Sequence, residues 1–481
     1  PFAREALFDF NRGHRNILST YRLRQPEKIR YRIDVNGKQE SYDLKIDKIL
    51  LNMYSTGVGI LSYHLENHAY PDFADILMIN DYGRRIFPQF LDENKPFTAG
   101  PKKAFLADKI KIVVKKNDDE EYIEVEEDFS YYNNIDNIAS NPVKLANTVM
   151  NILGDRFIIN DNKAENGDIV ITPVLDDRMF VMCWAAQPDL CRRLKEFNKD
   201  NTEYAYLDDG KNEDWYKYMF IDGKECTCRS IPMKKKILTV HTYDRWIEYG
   251  TLFGITRYSF VILAESDFVL PHFQNHYYRM VNLVLIQRAS MLRFSAETTR
   301  IAGLEKPGET ALQVQHLHQK YLEFVNKIYF REITAQEQGI ELYSHMRQAM
   351  NIERDVKDLN TEIDELHQAA AVENDRRKSK LLNMLSYIGA LFVVPAFFTS
   401  FFGMNIISEK LGITNTPGFI SVIVGIVLAA LLGLISLGLR NKSMGTKLRG
   451  IEKLILILIA LIMVALLSMP WWIGIFKGVG P

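Results

Sequence analysis

The sequence predicts an α/β (α+β) N-terminal domain, a long stalk helix and a C-terminal α-helical transmembrane region. Three observations predict it. Strand-like and helix-like stretches alternate from about Ile29 to Glu265, an apolar heptad seam runs from Ile352 to Ala370, and beyond Lys380 the charged chain gives way to three apolar runs. At 481 residues the chain exceeds one ordinary domain, and its formal net charge of -1 gives no global bias toward nucleic acid, so no direct nucleic-acid binding is expected. Four cysteines in so long a chain do not suggest a disulfide framework, which points to a reducing compartment for the charged part.

The first segment, NRGHRNILSTYRLRQ, gathers Arg12, His14, Arg15, Arg22 and Arg24. Planar guanidinium forks suit phosphate, so Arg12, Arg15, Arg22 and Arg24 are candidates for holding an anionic, nucleotide-like ligand. A solvated basic arm, or one paired with acids on a neighbouring subunit, has the same composition. The stretches IRYRIDV, DILMIN, IVITPV, MFVMCW and YSFVILA are rich in β-branched and aromatic residues and read as strands. NPVKLANTVMNILG and LCRRLKEFN read as helices between them. KIKIVVKKNDDEEYIEVEED reads as a hairpin in which a lysine-rich strand faces an acidic one, although a cation sensor could use the same carboxylates.

Beyond Pro271 the pattern turns helical, with His272–Ile301 and Ala311–Phe330 free of internal proline. Ile352, Val356, Leu359, Ile363, Leu366 and Ala370 then recur at steps of four and three, a seam for packing on another helix. No glycine or proline lies between Ile340 and the first apolar run, so the stalk is predicted to be one continuous helix into it.

The apolar runs are Leu381–Phe402, Phe419–Leu439 and Leu454–Ile475, each near the ~20 residues that cross a bilayer as a helix. Arg376, Arg377, Lys378 and Lys380 precede the first, and Arg440, Lys442, Lys447, Arg449 and Lys453 follow the second. The positive-inside rule then gives a multi-pass protein of the cell inner membrane, in contact with the lipid bilayer, with a cytoplasmic N-terminal domain and an external C-terminus. The expected organisation is an α/β domain over 1–270, its helical part over 271–336, stalk and first span over 337–402, an external loop over 403–417, and further spans over 418–440 and 452–476.

Catalytic constellations are missing. His64 and His68 lie one turn apart without the glutamate placement of zinc proteases, and read as surface histidines. Cys226–Thr–Cys228 is too closely spaced for the usual zinc pairs. Thr56–Gly–Val–Gly59 lacks the lysine of a phosphate loop, and His316 and His318 face different ways on a helix. An enzyme is not expected, nor an organic cofactor.

The first apolar run carries a stripe of mostly small or hydroxylated residues: Ser379, Leu382, Ser386, Gly389, Val393, Ala396, Ser400 and Gly403. Such a face suits close helix packing. It equally suits a pore wall, with Leu382, Ser386, Gly389, Val393, Ala396 and Ser400 lining an axial path.

The run ends in Gly403-Met404-Asn405, after a long helix and a large N-terminal domain, with Phe402 before the glycine and Pro395 in the outer half. This arrangement, from Glu337 to Leu439, resembles the signature of the CorA family of magnesium channels. The resemblance implies a CorA-like homopentamer passing Mg²⁺, the transported ion, with Gly403, Met404 and Asn405 as the selectivity element. Asn405 would meet the metal through the hydrated ion, which suits a cation that gives up water reluctantly. The third apolar run and the enlarged N-terminal part depart from the family pattern. Divergent CorA-like proteins accompany type III CRISPR antiviral systems as membrane effectors answering a nucleotide second messenger, and that gives the alternative function.

Overall fold

The computed structural model describes residues 17–24, 29–35, 40–85, 106–115, 121–129, 145–159, 164–174, 178–197, 202–303 and 307–403. The chain divides into two compact units, Pro1–His367 and Gln368–Pro481. The first is an α/β body with two main sheets and a helical layer.

The first sheet contains β1 (Leu18–Arg22), β2 (Ile29–Val35), β3 (Glu40–Tyr54), β4 (Gly59–Glu66), β5 (Lys109–Lys115) and β6 (Glu121–Asp128). Its order is β1-β3-β2-β5-β6, and β4 also pairs with β3. Period-two alternation builds one buried face: Ile29, Tyr31 and Ile33 of β2 and Tyr42, Leu44 and Ile46 of β3 are buried, with mostly half-buried or exposed residues between. An irregularity between Ile46 and Lys48 shifts the phase, so the next buried position is Ile49. Each such side chain contributes about 1.5–3 kcal/mol by leaving water. The lysine-rich and acidic strands do pair, with Lys109 Nζ 2.7 Å from Glu126 and 2.8 Å from Asp128.

Helix α1 (Phe73–Gly83) stands where the sequence predicts the strand DILMIN. Its apolar residues serve two cores: Met78, Ile79 and Tyr82 pack into the first sheet's core, and Leu77 into the second. A helix covered on two sides shows no clean amphipathic stripe, which is why its period misleads. The next elements are α2 (Asn147–Leu153), β7 (Phe157–Ile158) and β8 (Ile169–Val170). The predicted strand IVITPV thus shrinks to an exposed two-residue pairing that stops before Pro173.

The second sheet has the order β10-β11-β12-β9, from β9 (Val181–Ala186), β10 (Thr242–Tyr243), β11 (Thr251–Ile255) and β12 (Ser259–Ala264). Between β9 and β10 lie α3 (Pro188–Lys195), α4 (Glu213–Phe220) and α5 (Ile231–His241). Every residue of β11 and β12 is buried, as expected for strands covered on both faces. On one side Tyr218 of α4 donates its hydroxyl to the carbonyls of Cys183 and Ile262 at 3.1 and 3.2 Å. On the other, Tyr277 sets its ring 5.8 Å from those of Phe253 and Phe260. At Gly254 a Cβ would stand 2.7 Å from Met219 Cγ, so only glycine admits this approach.

A π-helical turn at Phe273–Tyr277 leads into α6 (Tyr278–Ala302), followed by α7 (Pro307–Lys327), α8 (Glu337–Ala349) and α9 (Ile352–Gly403). The heptad seam works as written at the start of α9: Ile352, Leu359 and Ile363 are buried, and Val356, Leu366 and Ala370 half-buried. The stalk is not continuous from Ile340, however. Met350 is buried, Asn351 takes a left-handed φ of 57°, and α9 starts afresh at Ile352. Asparagine tolerates that conformation.

Among the described residues no helix is long and apolar enough to cross a membrane. That overturns the expected C-terminal transmembrane region, the membrane-spanning character and the multi-pass inner-membrane placement with its inside and outside loops. The described apolar segment is the tail of a 52-residue helix whose earlier turns, through Lys380, are dense in Asp, Glu, Lys and Arg. The runs at 419–439 and 454–475 lie outside the described residues.

Candidate anion site

Three segments remote in sequence are drawn together at one end of the second sheet. Parallel pairing sets Ser259 of β12 opposite Val181 of β9, and Val181 N–H donates to the Tyr258 carbonyl at 3.0 Å. Just before β9, Arg178 bridges antiparallel to Arg85, and Met179 N–H donates to the Arg84 carbonyl at 2.7 Å. The β11–β12 loop is Thr256-Arg257-Tyr258; Thr256 Oγ1 accepts from Tyr258 N–H at 3.2 Å, which fixes its curl. Helix α6 adds Arg288, whose Nη1 donates to the Arg257 carbonyl at 2.8 Å.

The result is a cluster of guanidinium groups around one aromatic ring. Arg178 and Arg288 lie over Tyr258 with Cζ 5.3 and 5.2 Å from the ring centroid. Arg84 and Arg85, both buried, stand beside them and share Asp81, at 3.7 and 3.3 Å. Arg84 also donates to the Ile221 carbonyl at 3.1 Å. Burial is the main force pushing the Arg84 guanidinium down, to about 10, and its neighbours Arg85 and Arg178 push the same way. Burial likewise raises the Asp222 carboxyl. Positive charges crowded in a partly dehydrated place favour an anion with several acceptor oxygens, and forked donors suit phosphate.

The structure does not assemble the arginines that stand close together in sequence. Arg22 and Arg24 lie at and just beyond edge strand β1, both exposed, and Arg12 and Arg15 lie outside the described residues. Leu382, Ser386 and Gly389 are exposed on α9, and a Cβ at Gly389 would touch nothing within 4 Å. Val393, Ala396, Ser400 and Gly403 belong to the same helix, whereas Met404 and Asn405 lie outside the described residues.

The remaining candidates fall into ordinary surroundings, with one correction. His64 is not a surface histidine: it packs edge-on against Tyr278 at 4.7 Å, and burial holds its imidazole down to about 4. His68 reaches Glu66 at 3.3 Å. Cys226 points its thiol at the Cys228 carbonyl, and burial pushes the Cys191 thiol up to about 12. His318 stacks on His367 at 4.5 Å, while His316 is exposed. Among the described residues no group of three or more His, Cys, Asp or Glu side chains could hold a metal ion.

Proximity in sequence does not reveal the arginine cluster. Its signals are the Arg84-Arg85 doublet closing a helix and Arg257-Tyr258 in a tight loop, and neither points at the other before the fold is known. No family model, curated protein or solved structure matches the chain.

Proposed function

We propose that this protein is a ligand-responsive effector whose body binds a phosphorylated, nucleotide-class messenger at the arginine cluster and acts through α9. The observation that carries the reading is the seating of Arg178 and Arg288 over Tyr258 from separate places in the chain, with Arg85 bridged to Arg178 and Arg84 next to it. Such an effector is the activity that the sequence resemblance offers as its alternative, in type III CRISPR antiviral defence. The phosphates bind through charge-assisted hydrogen bonds, each worth about 1.5–3 kcal/mol.

Isothermal titration of the full chain with cyclic and linear oligonucleotides, mononucleotides and tripolyphosphate tests this. Arg178→Gln and Arg288→Gln are expected to weaken binding by roughly 10–100-fold each. Absence of binding by every compound, or binding untouched by both substitutions, refutes the reading.

A further inference from the structure

Gln287 and Arg288 are consecutive on α6, and their contacts lie on different sides. Arg288 belongs to the arginine cluster. Gln287 is fully buried and donates from Nε2 to the Ile328 carbonyl and to the Tyr343 hydroxyl, both at 3.0 Å. The Tyr343 hydroxyl donates onward to the Phe330 carbonyl at 2.8 Å. One turn along α8, Arg347 lies over the rings of Tyr329 and Tyr343 at 5.1 and 5.7 Å. Its Nη2 donates to the Tyr329 hydroxyl at 2.8 Å and stands 3.2 Å from a carboxylate oxygen of Glu353, in the first turn of α9. A series of polar contacts thus runs from the cluster to the root of α9.

Beyond Arg288, two buried atoms in that series make no hydrogen bond to protein: Gln287 Oε1, an acceptor, and Arg347 Nε, a donor. An acceptor and a donor at one helix junction are groups that a change of side-chain arrangement can give new partners. The joint itself has a turning point, because Asn351 holds a left-handed φ between buried Met350 and buried Ile352.

We propose that this junction is a two-state element and that Gln287 is the positioning residue coupling the arginine cluster to the seating of α9. The inference rests on the cluster being the ligand site. A ligand that pulls on Arg288 shifts α6 slightly, Gln287 exchanges its partners at Ile328 and Tyr343, and Arg347 changes its hold on Glu353. Only a difference in affinity between the two arrangements is needed.

A double-mutant cycle on the full chain tests this without any ligand. Arg288→Gln is the perturbation, and hydrogen exchange of the amides from Met350 to Val356 is the readout. Alone, Arg288→Gln is expected to change their exchange by about tenfold, and by less than about twofold once Gln287→Leu is present. Tyr343→Phe, which keeps the ring and removes the hydroxyl, gives the same cycle should Gln287→Leu fail to fold. Additive effects, or no effect of Arg288→Gln at these amides, overturn the coupling. Titration with tripolyphosphate and ATP runs in parallel, where Gln287→Leu is expected still to bind, with an affinity altered by the lost coupling and by less than Arg288→Gln alters it. Binding by neither the unmodified chain nor the variants overturns the ligand site, whereas the exchange cycle alone decides the coupling.

Discussion

Both sheets bury charge, in opposite ways. In the first, Lys111 of β5 meets Asp34 of β2 at 2.7 Å, with side chains 11% and 6% exposed, and Ser41 Oγ donates to the same carboxylate at 2.9 Å. The cation meets the buried Asp34 and, at 3.8 Å, Glu126 as well, and folding alone explains the pairing. At the end of the second sheet, Arg178 and Arg288 lie over Tyr258, and Arg84 and Arg85 beside them share Asp81. Like charges gathered in a dehydrated place work against stability. The pair reads as architecture; the arginine group, in which cations outnumber the Asp81 they share, is the place proposed above for a ligand.

The sharpest way to break this contrast is at the pair. Lys111→Met leaves Asp34 buried without its cation and is expected to remove about 3–5 kcal/mol of stability in urea denaturation. Adding Asp34→Leu should restore most of it. A loss below about 1 kcal/mol in the single variant would show that the first sheet does not depend on its pair.

A middle-sized effect is expected at a half-buried imidazole, His64. Burial lowers His64 from its ordinary 6.5 to about 4, so between those values the unfolded chain binds the proton and the folded chain does not. Stability is therefore complete above pH 6.5 and falls as pH drops toward 4, by about 1–3 kcal/mol after allowing for its partial exposure. His64→Phe should flatten this part of a thermal-melt pH series, and an unchanged slope would assign the acid sensitivity elsewhere.

The smallest change is expected at the crowd. Arg288→Gln removes one like charge and should shift stability by under about 1 kcal/mol while ligand affinity falls. A loss of about 3 kcal/mol or more would make the cluster architectural after all and dissolve the comparison.

How legible these regions are differs by mechanism. The hairpin with Lys109 against Glu126 and the seam from Ile352 to Ile363 are readable in the sequence, because one strand alternation or one helix period carries them. Helix α1 looks like a strand because Leu77 and Met78 face different cores, and a side chain's destination is not written in its period. The break at Asn351 is hidden because no glycine or proline marks it; it coincides with the burial of Met350. The apolar tail of α9 reads as a crossing segment when length and charge alone are weighed, yet no described helix is long and apolar enough to cross. The candidate site is illegible, since Arg85, Arg178 and Arg288 meet only through tertiary pairing. Of the arginines clustered in sequence, Arg22 is exposed instead.

The parallel pairing of β9 with β12 has a consequence for how the chain comes into being. Val181 and Ser259 must meet across 259 − 181 = 78 residues, and Tyr258 faces Arg178 only after they do. Non-local parallel contacts form late, because loop-closure entropy is spent before they reward the chain. Arg288 lies further on still, on α6, and reaches the ribosome's exit after both strands. A nascent or half-folded molecule therefore lacks the assembled arginine group. The arginine group is thus a property of finished copies alone, set apart from synthesis by a built-in delay.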